Sequence, residues 1–233
     1  MIGLTDSSDD NESKQVPALA STPSSVPSLS GDETSPGDTA DGPIAELADP
    51  GWVSRTASAT GIPARALAAY AGASLSANRT HTGCSIGWNT LAAIGGVESA
   101  HGSLNGAILN DDGTVGPEII GVALDGDGVA KITDTDNGDL DGDTTWDRAV
   151  GPMQFLPSTW DAYAVDGNDD GLPDIHNIDD AALSAAGYLC TTGGDLTQPD
   201  DWVKAISAYN AGTDYNARVS DLATTYAGAA DAG

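Results

Sequence analysis

The chain is short of several things at once, and each shortage removes a class of protein. Only 8 of its 233 residues are Lys or Arg, against 35 Asp or Glu, a formal charge of −27. A surface so poor in cations has little with which to displace the counterions of a phosphate backbone, which argues against nucleic acid as a partner. No apolar run approaches the ~20 residues that span a bilayer. Met1-Ile2-Gly3-Leu4 is too short and too weakly apolar for a signal peptide, so either a leader has been removed or the protein is cytosolic. The three histidines, His81, His101 and His176, lack the paired spacing of a zinc site and read as surface or hydrogen-bonded side chains.

Aromatic residues are missing from the first 50 positions altogether: every Trp, Tyr and Phe lies at or after Trp52. The head is Ser, Pro, Thr, Gly, Asp and Glu, too apolar-poor to offset the roughly 1–2 kcal/mol per residue that ordering its backbone costs. Residues 1–50 therefore read as a disordered stalk or linker and residues 51–233 as one folded domain. Scarce lysine with abundant Asp fits a protein working in high salt, where self-repulsion is screened; an ordinary acidic secreted protein fits as well.

There are two cysteines, Cys84 and Cys190. They are either a bridge or two free buried thiols. A bridge would tie together the ends of two expected helices, and it points to export.

What remains is largely helical. The spacing predicts helices from Ile62 through Tyr70, Trp88 to about Ala100, Ser158 (as N-cap) through Tyr163, Asp179 to Cys190, Asp200 or Asp201 to Gly212, and Asp214 to Tyr226. Gly95-Gly96 suits close approach of another backbone. Between them, Glu118 to Leu124 and Val129 to Ile132 flank Asp-Gly turns and predict one β-hairpin. The Asp- and Gly-rich stretch from Asp134 to Asp147 reads as a polar ordered loop whose carboxylates cap backbone donors.

Glu98 stands out in Ile94-Gly95-Gly96-Val97-Glu98-Ser99-Ala100-His101-Gly102. It ends an apolar helix one turn from Ile94 and Leu91, where a carboxyl group is placed to hold its proton at neutral pH. Two later segments accompany it: Asp147-Arg148-Ala149-Val150-Gly151-Pro152-Met153-Gln154-Phe155-Leu156-Pro157-Ser158-Thr159-Trp160, and Ala208-Tyr209-Asn210. With Val97-Glu98-Ser99 and the acidic loop from Asp166 to Asp174, they resemble the lytic murein transglycosylases of the membrane-bound B type, glycoside hydrolase family 103, in their actinobacterial form. The resemblance spans about residues 60–227.

The resemblance implies a lysozyme-like, mainly α (α+β) domain with one small hairpin. It implies cleavage of the bond between N-acetylmuramic acid and N-acetylglucosamine in peptidoglycan, with the glycan strand as partner, no nucleic acid, no required cofactor, a monomer, and a place outside the cell or at its wall. Glycosidases ordinarily use two carboxylates. This family implies one: Glu98 would protonate the glycosidic oxygen and then, as carboxylate, take the proton of the C6 hydroxyl that closes on C1 to leave a 1,6-anhydro end. By analogy Ser99, Gln154, Tyr209 and Asn210 would surround the sugar or position Glu98, with Met153 and Phe155 as apolar walls, and Trp160 or Tyr163 as sugar platforms or core. The region between Glu98 and Gly151 departs from the proteobacterial enzymes, so a water-using muramidase with Asp143 or Asp147 as second carboxylate is the alternative. A wall-binding module that no longer cuts, calcium-dependent or not, is the rival from another class.

Asp166-Gly167-Asn168-Asp169-Asp170-Gly171 matches the start of an EF-hand loop, with Asp166, Asn168, Asp170 and Asp174 as candidate ligands of a structural calcium. The twelfth position is Asn177, so the usual bidentate Glu is missing unless Asp174, Asp179 or Asp180 replaces it.

Overall fold

The computed structural model describes residues 42–232. Residues 1–41, most of the expected stalk, lie outside the described residues. Residues 42–50, also assigned to the stalk, are instead folded onto the domain. A 3₁₀ turn at Ile44–Glu46 buries Ile44 to 2% exposure, and the Ile44 N–H bonds the Gly167 carbonyl at 2.8 Å. One isoleucine with a packed seat is enough to recruit a segment whose composition alone reads as unstructured.

Helix α1 (Pro50–Thr60) follows, a helix the sequence reading does not include, starting at the expected end of the stalk. Its signals are clear in hindsight: Asp49 accepts from the Trp52 N–H at 2.7 Å, Pro50 starts the helix, and Gly61 closes it at φ 75°. Helix α2 (Ala64–Thr80) is buried along most of its length, from Ala66 and Leu67 to Ser76 and Ala77. Its many alanines let neighbours approach closely, and it packs most extensively on α5 (Ile178–Gly193), then on the Ile44–Glu46 turn, then on α3 (Trp88–Ser99). Helix α7 (Thr213–Ala232) lies across α3 and α1. The disulfide Cys84–Cys190 joins the approach to α3 with the end of α5, its Cα atoms 5.2 Å apart across 106 residues of sequence. In the chain-entropy account, closing so long a loop is worth roughly 4–5 kcal/mol.

The expected fold class holds, mainly helical with one small antiparallel hairpin, but the hairpin is in another place. The sheet pairs β1 (Ile108–Leu109) with β2 (Val115–Gly116). The predicted runs form only isolated bridges, Asp125 with Lys131 and Ile120 with Val150. Ile119 is buried beside Ala107 and Val115 and Ile120 packs on the main core, but Val122 and Val129 are 67% and 37% exposed, so the ribbon's outer part covers no core, and its backbone pairs with the acidic loop and with residues 147–150.

Two helix ends also differ from expectation. Helix α4 (Pro157–Tyr163) is preceded by Leu156, which makes no side-chain cap, and Ser158 lies inside the helix. Helix α6 (Pro199–Tyr209) stops at Asn210, whose φ of −151° is extended, short of Gly212.

Candidate active site

Helix α3 is apolar and buried over most of its length, and it delivers Glu98 half-buried on its last turn. Burial disfavours the charged form and lifts the Glu98 carboxyl from 4.5 to about 7; Tyr215 and the Arg218 guanidinium, both on α7, pull the other way. The Tyr215 hydroxyl is buried and has no hydrogen bond of regular geometry. It nonetheless stands close enough to Glu98 for the two to couple, the carboxylate pushing the phenol up. Tyr209, at the end of α6, feels Glu98 in the same direction, second to its own burial.

Beside this carboxyl sits the turn from Val150 to Phe155, closed by a two-way backbone pairing of those two residues at 2.8 and 2.9 Å. Gly151 takes φ 80°, and a Cβ there would meet the Ile175 carbonyl oxygen at 2.1 Å, so only glycine fits. The two other motif segments hold this turn. Ser99 Oγ donates to the Pro152 carbonyl at 2.6 Å and accepts from the Gly102 N–H at 2.8 Å. The Tyr209 hydroxyl donates to the Met153 carbonyl at 2.7 Å. Ser99 of the first motif segment and Tyr209 of the third thus both hold the Gly151 to Phe155 turn of the second.

Residues 129–222 match the sequence profile described as "Transglycosylase SLT domain". This segment is similar to the transglycosylase SLT domain. The match contains the Gly151–Phe155 turn, Tyr209, Tyr215 and Arg218, and Glu98 precedes it. No curated protein matches the chain in sequence. Among solved structures, the chain is similar to the Escherichia coli lytic transglycosylase Slt35 in complex with bulgecin A, at 16% identity and TM-score 0.47 over 78% of this chain and 76% of that one. The same protein in complex with calcium gives 16% and 0.48 over the same shares. SltB3 from Pseudomonas aeruginosa, in complex with NAG-anhNAM-pentapeptide, gives 16% and 0.43 over 75% and 66%.

The expected sugar contacts divide into buried braces and exposed groups. Met153 is fully buried, so its side chain is part of the core and it offers the site only its carbonyl. Gln154, at φ 50°, turns its amide nitrogen onto the carbonyls of Gly151 and Ile119 at 3.0 and 3.2 Å. Ser99 is likewise spent on backbone, and Asn210 is exposed and accepts from the Gly212 N–H at 3.0 Å. Gln154, Phe155 and Tyr209 line a small cavity of about 50 Å³ with Thr159 and Tyr188. Phe155, Trp160, Tyr209, Tyr188 and Tyr163 form a run of edge-to-face ring contacts with centroids 4.9–5.9 Å apart. Trp160 is 7% exposed, which makes it core. Tyr188, Tyr215 and Arg218 were not foreseen; a base so close to the Tyr-Asn pair in so base-poor a chain was the available signal.

In the loop from Asp166 the expected ligands are engaged in hydrogen bonds of the loop itself. Asp166 accepts from the Asp170 and Gly171 N–H groups, and Asn168 and Asp170 pair at 2.9 Å. Asp174 accepts from the His176 N–H at 2.9 Å. The proposed replacements for a twelfth-position ligand are engaged elsewhere. Asp179 pairs with Arg65. Asp180, fully buried, accepts from the Gly167, Asn168 and Asp174 N–H groups, and desolvation lifts it to about 6 despite them. Asn177 caps α5 through the Asp179 N–H. In the other acidic loop, oxygens of Asp134, Asp136 and Asp147 lie within 4.8 Å of one another. Each accepts from the loop itself: Asp134 and Asp136 from Gly138 N–H, Asp147 from Thr135.

Proposed function

We propose that this chain is a lytic transglycosylase that cleaves the β-1,4 bond between N-acetylmuramic acid and N-acetylglucosamine in peptidoglycan, leaving 1,6-anhydromuramic ends, with Glu98 as the single general acid and base. The observation that carries the reading is Glu98 itself: a carboxyl group lifted to about 7 beside the turn that opens Gly151-Pro152-Met153-Gln154. A group titrating near neutrality can give a proton and take one back with little loss in either direction.

The protonated carboxyl donates to the glycosidic oxygen as its bond to C1 breaks, and N-acetylglucosamine leaves as the alcohol. The carboxylate so formed accepts the C6 hydroxyl proton while the C6 oxygen bonds C1, so the proton returns to Glu98 and no water is used. In between, the buried charge is steadied by the Tyr215 hydroxyl, which has no hydrogen-bond partner among the described residues, and by Arg218. The attack is intramolecular and gains the effective concentration of a tethered group.

Glycoside hydrolysis ordinarily uses a second carboxylate, and both candidates already have partners, which favours the single-carboxyl reading. Asp147 is fully buried on Thr135, and Asp143 is bound by the Arg148 guanidinium at 2.8 Å. Mass spectrometry of muropeptides released from purified sacculi tests the choice: anhydro ends, one water lighter than reducing ends, are expected. Reducing ends would make the chain a muramidase, and binding without release would make it a wall-binding module.

The remaining assignments rest on the same reading. The protein acts as an exported monomer at the cell wall, where the Cys84–Cys190 bridge is stable. Asp166, Asn168 and Asp170 offer oxygen donors suited to a calcium ion of structural use, with Asp174 able to join by leaving His176.

A further inference from the structure

Three consecutive residues after the Glu98-Ser99 end of α3 take positive φ: Ala100 at 49°, His101 at 61° and Gly102 at 82°. Only the last is glycine. In the other two, Cβ crowds the residue's own carbonyl, so surrounding contacts must over-determine the turn. The His101 side chain supplies them. It is 9% exposed, with Nδ1 3.3 Å from the Tyr70 hydroxyl of α2 and Nε2 3.0 Å from the Tyr226 hydroxyl of α7, while its N–H bonds the Gly95 carbonyl at 3.0 Å. A neutral imidazole donates from one nitrogen and accepts at the other, which suits a seat between two phenols, and burial holds this ring down to about 4.

The Gly95-Gly96 pair is part of the same device. A Cβ on Gly95 would lie 2.0 Å from the Tyr70 hydroxyl, and one on Gly96 would lie 3.2 Å from the Tyr226 hydroxyl and 2.9 Å from Leu222. The atoms nearest these glycines are side-chain atoms, so the pair makes room for side chains.

We propose that His101 is a positioning residue for Glu98, pinning α2 and α7 to the turn that follows it. The inference rests on the reading of Glu98 as the acid. Helix α7 carries Tyr226 to His101 and Tyr215 and Arg218 to Glu98, so the imidazole anchor sets the register in which those two groups meet the carboxyl. Tyr209, from α6, is the other titratable group coupled to Glu98.

The test compares His101→Phe, which fills the space without hydrogen bonds, with His101→Gln, which keeps a donor and an acceptor. Two quantities are read: the Glu98 titration by carboxyl carbon NMR, and kcat and KM on peptidoglycan. His101→Phe is expected to move the Glu98 titration above its wild-type midpoint as Tyr215 and Arg218 withdraw, and to lower kcat roughly ten- to a hundredfold with KM little changed. His101→Gln restores much of both. A folded His101→Phe protein with an unmoved Glu98 titration and wild-type kcat overturns the proposal. Should that variant not fold, Tyr226→Phe removes one hydroxyl only and is judged by the same shift, in the same direction. The titration needs no turnover, so a wild type that fails to cut peptidoglycan sinks the enzyme reading while the NMR arm still decides the role of His101.

Discussion

The hydroxyl of Tyr209 donates to the backbone carbonyl of Met153 at 2.7 Å, tying the end of α6 to the turn that flanks Glu98. Two stretches of sequence far apart in the chain are thereby held as one wall. The tyrosine of the Ala-Tyr-Asn segment acts first as a strut, whatever else it does to substrate. Tyr209→Phe leaves a buried carbonyl without its donor and is expected to destabilise the protein by about 1–3 kcal/mol, read from urea unfolding. A change within error would mean that water or a neighbouring group replaces the bond.

Activity should depend on pH through Glu98 in one direction only. The resting enzyme needs the protonated acid, so kcat/KM falls as pH rises through about 7 and is flat below it until the fold fails. Tyr215→Phe removes a group that holds Glu98 down, so this alkaline limb moves to higher pH while the maximal rate falls, because the anion loses a donor. A pH–rate profile of both proteins decides it; a limb that stays put or moves down contradicts the assignment.

The same carboxyl gives a stability test without substrate. Its folded value, about 7, lies above its ordinary 4.5, so the folded state binds the proton more tightly and stability is lost as pH rises between those values. Glu98→Gln removes the burial of that charge. The variant should match wild type below about pH 4 and exceed it by up to roughly 3 kcal/mol above pH 7, in denaturant titrations at both ends.

The SLT match and the fold class show what the sequence made plain. Most helix periods and the Glu98 helix were legible because they follow from local spacing, and two cysteines near helix ends made a bridge one of two open readings; the grouping of the three motifs rested on the resemblance alone. Roles were harder. Ser99 and Gln154 look like sugar ligands because they are polar and sit in the motifs, yet the Ser99 hydroxyl and the Gln154 amide nitrogen close backbone gaps left by a helix end and a tight turn. Met153 looked like a wall and is core. Tyr215 and Arg218 carry no motif of their own; they matter because α7 crosses α3, a tertiary fact that periodicity within one helix does not encode. Ile44 was misplaced for the same reason, since its burial depends on α2 and Gly167.

Calcium should act on stability and not on chemistry. Millimolar calcium is expected to raise the thermal midpoint by a few degrees relative to chelator, and Asp166→Ala to abolish that rise while leaving kcat near wild type. An equal rise in the Asp166→Ala protein would move the ion to another loop, with Asp134, Asp136 and Asp147 the next to replace. No rise in either protein would remove calcium from the account.

Turnover of purified peptidoglycan by Glu98→Gln, set beside Asp143→Asn and Asp147→Asn, bears most directly on whether one carboxyl does both proton transfers. Loss of acid and base together should cost at least about a thousandfold in kcat for Glu98→Gln, with Asp143→Asn and Asp147→Asn within about tenfold of wild type once matched for stability. Comparable losses in Glu98→Gln and in either aspartate variant, or a Glu98→Gln protein that still cuts, would contradict the single-carboxyl mechanism.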